Sequence, residues 1–253
     1  SGLPIYRIPT IDQWGLLYQP LIFHEFGHVL YSEHKPELDA LVRELQLEVL
    51  NRLAPASSQN DRYAKKQSKK RQAIAYVWYL WAQEYFCDAV ALTIGGPAYI
   101  RAFSSRLLSL HLEDFISEPE SLLSSSHPIP WLRIRFLASR ARNDGFAEVA
   151  NEIEDKWKQI ASWMDAKDDF YGYYDQVLEE PVHRIITDML VEATPRRAGE
   201  NKVQGKYDGD LNTNLIALLN KAWSVYLRTP DEYSEWELHQ IEKIQSQDSS
   251  TIP

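Results

Sequence analysis

"PLIFHEFGHVLYSEH", residues 20–34, is the stretch on which the reading of this chain turns. Pro20 suits the first turn of a helix, where its missing N–H would have no partner in any case. Apolar residues predict a buried helix from there to about Glu33. Three titratable residues nevertheless sit in its middle: His24, Glu25 and His28. His24 and His28 are four apart, so on a helix they share one face about a turn apart. Two imidazoles so placed can converge on one metal ion. Glu25 projects beside them, where it can take a proton from a metal-activated water. This is the H-E-x-x-H arrangement of zinc peptidases. The plain alternative is a pair of core histidines satisfied by neighbours. Glu25 counts against it, because a carboxylate in an apolar run is costly to bury unpaired.

A catalytic zinc site takes three protein ligands and keeps one position open for water or substrate. The strongest candidate for the third ligand is Glu84 in "WAQEYFCDAVAL", again a carboxylate in an apolar helix. Asp88 follows one turn later on the same face, where it can accept an imidazole N–H and orient a ligating histidine. Glu33, Glu44 and Glu48 read as helix-surface positions, and His34 lies too near a helix end to join easily. His111, His183 and His239 read as ordinary polar or helical positions. Cys87 could ligate as a thiolate, but it is off the Glu84–Asp88 face and reads as packing. Further on, "SSHPIPWLRIRFL" places His127-Pro128 before a helix that carries Arg133. Taken alone, that is a helix-start turn.

The 253 residues allow one large domain or two small ones. The apolar and charged contents are those of an ordinary globular protein, and the wealth of Trp and Tyr predicts an aromatic core. A net charge of -9 supplies no basic field, which argues against nucleic acid as a partner. The richest apolar run, "AIAYVWYLWA" at 73–82, is half the ~20 residues that a transmembrane helix needs. One cysteine excludes an intrachain disulfide framework and fits a reducing compartment. No basic n-region and apolar h-region open the chain at residue 1. A cytoplasmic location is the expectation, and the H-E-x-x-H pattern, not the composition, points to a protein or peptide substrate.

Helical patterns dominate. A second helix opens at Pro36 and carries Leu38, Leu41, Val42, Leu45 and Val49 at helical spacing, with Glu44 and Glu48 off that face. The polar, basic stretch "APASSQNDRYAKKQSKK" predicts an exposed mobile loop whose lysines are solvated. A long apolar helix follows from about Gln72 to Ile94, ended by Gly95-Gly96-Pro97. Further helices are expected over 146–165, 182–193, 214–228 and 231–246, with "TPRRAGENKVQGKYDGD" a long polar loop. Ile5 to Ile8, bracketed by prolines, could be extended. The fold class is mainly α with little β-sheet.

Taken together, H-E-x-x-H, then E-x-x-x-D, then Ser126-His127-Pro128 followed by four residues and Arg133-Ile134 resemble the gluzincin metallopeptidases. The resemblance is nearest to the family of the HtpX-like heat-shock proteases and the CAAX prenyl proteases, and it covers about residues 20–140. It implies a zinc peptidase core over 1–140 with a helical C-terminal region, 141–253, packed on it. It implies zinc on His24, His28 and Glu84, Glu25 as the base, His127 as a donor to the oxyanion, and Asp88 and Arg133 behind the ligands. Many members of that family are membrane-embedded, so this chain would be a soluble relative. Gluzincins also place a small sheet before the active-site helix, whereas only about nineteen residues precede it here. The expected activity is a zinc-dependent endopeptidase. The competing expectation is a helical regulatory or interaction module that keeps a structural or latent peptidase-like zinc site.

Overall fold

The computed structural model describes residues 15–54, 61–109, 126–166, 170–195 and 211–249. A 3₁₀ turn, Gln19–Leu21, with Pro20 inside it leads into α1, Ile22–Glu33. Then come α2 (Lys35–Leu53), α3 (Asp61–Gly95) and α4 (Pro97–Leu108). They are followed by α5 (Pro130–Asn143), α6 (Ala147–Trp163) and α7 (Glu179–Ala193). The last two are α8 (Leu211–Arg228) and α9 (Pro230–Ser249). The fold is mainly α, and no strand occurs among the described residues. The extended segment expected at Ile5–Ile8 lies outside them, as do residues 196–210 of the polar loop.

One expectation fails at the start of α3. Residues 61–70, read as the end of a mobile loop, are helical. They lack an apolar face, so no hydrophobic period marks them. Their Lys, Gln, Arg and Ala content is nevertheless that of good helix formers, and a long packed helix downstream removes the cost of nucleation. Lys69 and Lys70 are exposed on this helix, as solvated lysines should be. Residues 55–60 of the same stretch lie outside the described set.

α3 is the axis. α1 and α2 pack along it, α7 packs on both α2 and α3, and α5 and α6 form an adjoining pair. Ile74, Val77, Trp78, Trp81, Phe86 and Val90 on α3 are wholly buried. Removing such side chains from water stabilises the fold by about 1.5–3 kcal/mol each for residues of Val to Phe size. The buried polar edge of Trp78 donates to the Tyr173 carbonyl at 2.8 Å, and that of Trp157 donates to Ser104 Oγ at 2.9 Å. On α2, Leu38, Val42, Leu45 and Val49 face the core with no exposure. Glu44 and Glu48 project away from it and are clamped by Arg184 of α7.

Two glycines set the site. At Gly27, α1 presses so closely on α3 that a side chain would collide with the backbone of Cys87. At Gly96 the chain turns from α3 into α4 with φ +57, a left-handed conformation that a side chain would disfavour. Pro97 then opens α4. The core continues without a break past residue 140, through α5 into α6. The last helices reach back to the entrance of α1. Trp223 Nε1 donates to the Leu17 carbonyl at 3.1 Å, Leu16 N–H donates to Glu237 Oε1 at 2.6 Å, and Ala98 N–H donates to Asn220 Oδ1 at 2.9 Å.

Candidate metal centre

α1 and α3 carry the polar groups that meet at their crossing. His24 and Glu84 are buried, His28 is half-buried, and Glu25 is partly exposed beside them. The two imidazole rings stand 5.0 Å apart, nearly perpendicular. His24 Nε2 lies 3.4 Å from Glu84 Oε2, and His28 Nε2 lies 3.6 Å from Glu84 Oε1. Both Nε2 atoms therefore face one carboxylate.

Behind them, Asp88 organises the site. Its Oδ1 accepts from His24 Nδ1 at 2.9 Å and from the Tyr99 hydroxyl at 2.7 Å. Arg133 of α5 grips the same carboxylate with two bonds, Nε to Oδ2 at 2.9 Å and a terminal nitrogen to Oδ1 at 2.7 Å. That is the bidentate fork in which a guanidinium holds a carboxylate best. The guanidinium also lies 4.5 Å above the Phe103 ring, which in turn stacks on His24.

The charges follow from this geometry. Burial opposes ionisation of Asp88, but the Arg133 guanidinium and His24 hold its carboxyl well below the usual carboxylate range. Burial likewise opposes ionisation of Glu84, and His24 and Arg133 again prevail and lower it. Burial would lower His24 too, yet the Asp88 and Glu84 carboxylates beside it push it up to about 9. Burial dominates at His28, whose pKa is lowered. Without metal the centre is therefore two carboxylates, one guanidinium, one imidazolium and one neutral imidazole.

One atom is left over. Glu84 Oε2 is buried without a hydrogen bond, although His24, His127 and Arg133 nitrogens surround it at 3.3–3.5 Å. Charge-assisted hydrogen bonds are shorter, about 2.7–2.9 Å. Ligands of one tetrahedral zinc, bonded at about 2.0–2.2 Å, stand about 3.3–3.6 Å apart. Glu84 stands at such a separation from each histidine, through Oε2 for His24 and Oε1 for His28, and two imidazoles with a carboxylate are a donor set that suits zinc.

Cys87 competes for the third place, since one donor atom each from His24, His28 and Cys87 lie within 4.8 Å of one another. Glu84 and Cys87 meet different atoms of the histidines. His24 Nδ1 is committed to Asp88, which leaves Nε2, and Nε2 faces Glu84. Cys87 Sγ meets Nδ1 of His28 at 3.4 Å, the nitrogen on the other side of the ring from Glu84. Burial also pushes the Cys87 thiol up, whereas Glu84 is ionised.

His127 flanks the site with a side chain that is 57% exposed. Its Nε2 stands 3.5 Å from Glu84 Oε2, while Ser126 Oγ lies 3.0 Å from its Nδ1. The structure thus brings together His24, His28, Glu84, Asp88, His127 and Arg133. Glu25 is near enough for its charge to act on His28. Sequence reasoning missed Tyr99, Phe103 and the contact of Cys87 with His28. A helical wheel holds a hint of the last. At 3.6 residues per turn, Asp88 and Cys87 flank Glu84 by about 40° on one side and about 60° on the other. Asp88 serves His24 and Cys87 meets His28.

The chain matches no protein-family model, no curated protein and no solved structure. No helix among the described residues is long and apolar enough to cross a membrane.

Proposed function

We propose that this protein is a zinc-dependent endopeptidase of gluzincin type, resembling the HtpX-like and CAAX prenyl protease family. The observation that carries the reading is that one buried carboxylate, Glu84, faces both His24 Nε2 at 3.4 Å and His28 Nε2 at 3.6 Å and keeps its Oε2 without a hydrogen bond. These three residues would hold the metal. Bound there, zinc would supply Lewis-acid polarisation of a peptide carbonyl and a water acidic enough to attack at neutral pH.

The rest falls to the chain's own residues. Glu25, partly exposed beside His28, takes the proton of the attacking water and passes it to the leaving amine. Asp88 fixes the His24 proton on Nδ1, so that Nε2 presents its lone pair to the site. Arg133 and Tyr99 keep Asp88 ionised and still. His127 stands at the open edge, where Nε2–H can donate to the developing oxyanion.

His127 also favours a second reading. Its 3.5 Å separation from Glu84 Oε2 is itself a co-ligand distance. As a fourth ligand it would close the site and make the zinc structural or latent, in a module whose work lies in its helical surfaces. One experiment separates the two: metal analysis with a peptide-cleavage assay of wild type against Glu25→Gln. The endopeptidase reading expects one zinc per chain in both and hydrolysis lowered ~10²–10⁴-fold in the variant. Zinc in both proteins with equal hydrolysis, or none in either, removes the catalytic role of Glu25.

A further inference from the structure

We infer that Cys87 is a positioning residue for His28: its sulfur accepts the His28 Nδ1–H and holds the ring in the tautomer and rotation that turn Nε2 toward the metal. The inference rests on the metal centre proposed above and concerns a residue to which the peptidase pattern gives no part.

The two histidines are supported unequally. Each must carry its proton on Nδ1 if Nε2 is to ligate. For His24 that proton is secured by an ionised carboxylate, Asp88, at 2.9 Å. Among the contacts of His28, the atom at Nδ1 is Cys87 Sγ, at 3.4 Å, a separation proper to a hydrogen bond with sulfur. On the opposite side of the ring, Nε2 faces Glu84 Oε1 at 3.6 Å. The other oxygen of that carboxylate, Oε2, is the buried and unsatisfied one, and it faces His24 Nε2 at 3.4 Å, so the metal proposed above would stand between the two histidines and Glu84. His28 is thus suspended between a sulfur and the ion position.

The sulfur has little freedom to be elsewhere. Cys87 is wholly buried, and α1 lies on it so closely that a Cβ at Gly27 would come 3.0 Å from Sγ. Gly27 directly precedes His28, so the close approach that needs glycine also carries the imidazole to the sulfur. A thiol can donate to Nδ1 or accept from it. Donation would leave the ring proton on Nε2 and block ligation. Metal binding selects the other arrangement, Nδ1–H to sulfur. A thiol is a weaker acceptor than a carboxylate, so His28 is the less tightly oriented of the two ligands.

The test uses the full chain and zinc itself. Cys87→Ala removes the acceptor without adding bulk beneath Gly27, and Cys87→Ser restores a smaller one. Partners of this kind are worth ~10–100-fold in metal affinity. The zinc Kd should rise by that factor in Cys87→Ala and recover in part in Cys87→Ser. A merely structural cysteine would not affect the His28 Nδ1 proton. In imidazole-detected NMR of the zinc form, that proton should exchange slowly in wild type and quickly in Cys87→Ala. Equal zinc Kd and equal exchange in both proteins overturn the inference. So does a thiolate-to-metal absorption band in the cobalt-substituted wild type that vanishes in Cys87→Ala, because Cys87 would then be a ligand. Failure to bind zinc in wild type removes the metal centre itself. Zinc binding without Glu25-dependent hydrolysis removes only the peptidase reading and leaves the Cys87 result standing.

Discussion

A Cβ atom on Gly27 would stand 2.6 Å from Cys87 Cα, closer than real contacts allow. Because the obstructing atom is backbone, no rotamer change can relieve it. Gly27→Ala must push α1 away from α3, and the two histidines move away from Glu84 with it. Such overpacking costs about 1–3 kcal/mol. We expect a lower Tm in the metal-free protein and zinc binding weakened beyond what the stability loss explains. Calorimetry and zinc titration of the same preparation check this; unchanged zinc affinity would show that the crossing does not set the site.

Glu84→Ala distinguishes the two ligand sets. If Glu84 is the third ligand, zinc content after dialysis falls strongly, as it does in His24→Ala and His28→Ala. Stoichiometric zinc of unchanged affinity in Glu84→Ala would move the third ligand to Cys87, the other donor within reach of both histidines.

Much of this site was legible in the sequence because its signals are local. The spacing of His24, Glu25 and His28 is set by one helix, and Glu84 and Asp88 stood out as carboxylates in an apolar one. The buried face of α2 followed from its period, and Gly95-Gly96-Pro97 marked the end of α3. The contacts that were not legible are those made between helices. Tyr99 and Phe103 reach Asp88 and His24 only because Gly96 reverses the chain into α4. Cys87 reaches His28 only through the crossing at Gly27. The first turns of α3 escaped notice because helix propensity, not an apolar face, carries residues 61–70.

Acid and base act on the centre in a direction set by His24. Its pKa in the fold, about 9, lies above the ~6.5 of an unfolded histidine. Its protonation therefore stabilises the metal-free protein fully below about pH 6.5, and that stability is lost as pH rises toward 9. His28, with a lowered pKa, acts in the opposite sense: its contribution is present above about pH 6.5 and lost as pH falls through its folded pKa. Zinc must displace the proton from His24 Nε2. Between pH 6.5 and 8.5 zinc affinity should rise roughly tenfold per pH unit, with about one proton released per zinc at pH 7. Titration calorimetry in buffers of different ionisation enthalpy counts that proton. No release at pH 7 would mean that His24 is already neutral or does not ligate.

His127 decides between an open and a closed centre. Its side chain is largely exposed, yet Nε2 stands 3.5 Å from Glu84 Oε2, at the rim of the site rather than in its floor. If it donates to the oxyanion, the bond is stronger in the transition state than in the ground state, so kcat carries the effect. His127→Ala should then lower kcat by ~10²–10³-fold, equivalent to about 2.7–4 kcal/mol, with zinc content and KM nearly unchanged. If His127 is instead a fourth ligand, the same substitution weakens zinc binding, and hydrolysis rises or stays absent because a position has been opened. A helix-start role alone predicts a small loss of stability before α5 with kcat and zinc both intact. Zinc titration and steady-state kinetics on one variant separate all three. Intact kcat in a zinc-loaded, hydrolytically competent protein would remove His127 from the chemistry.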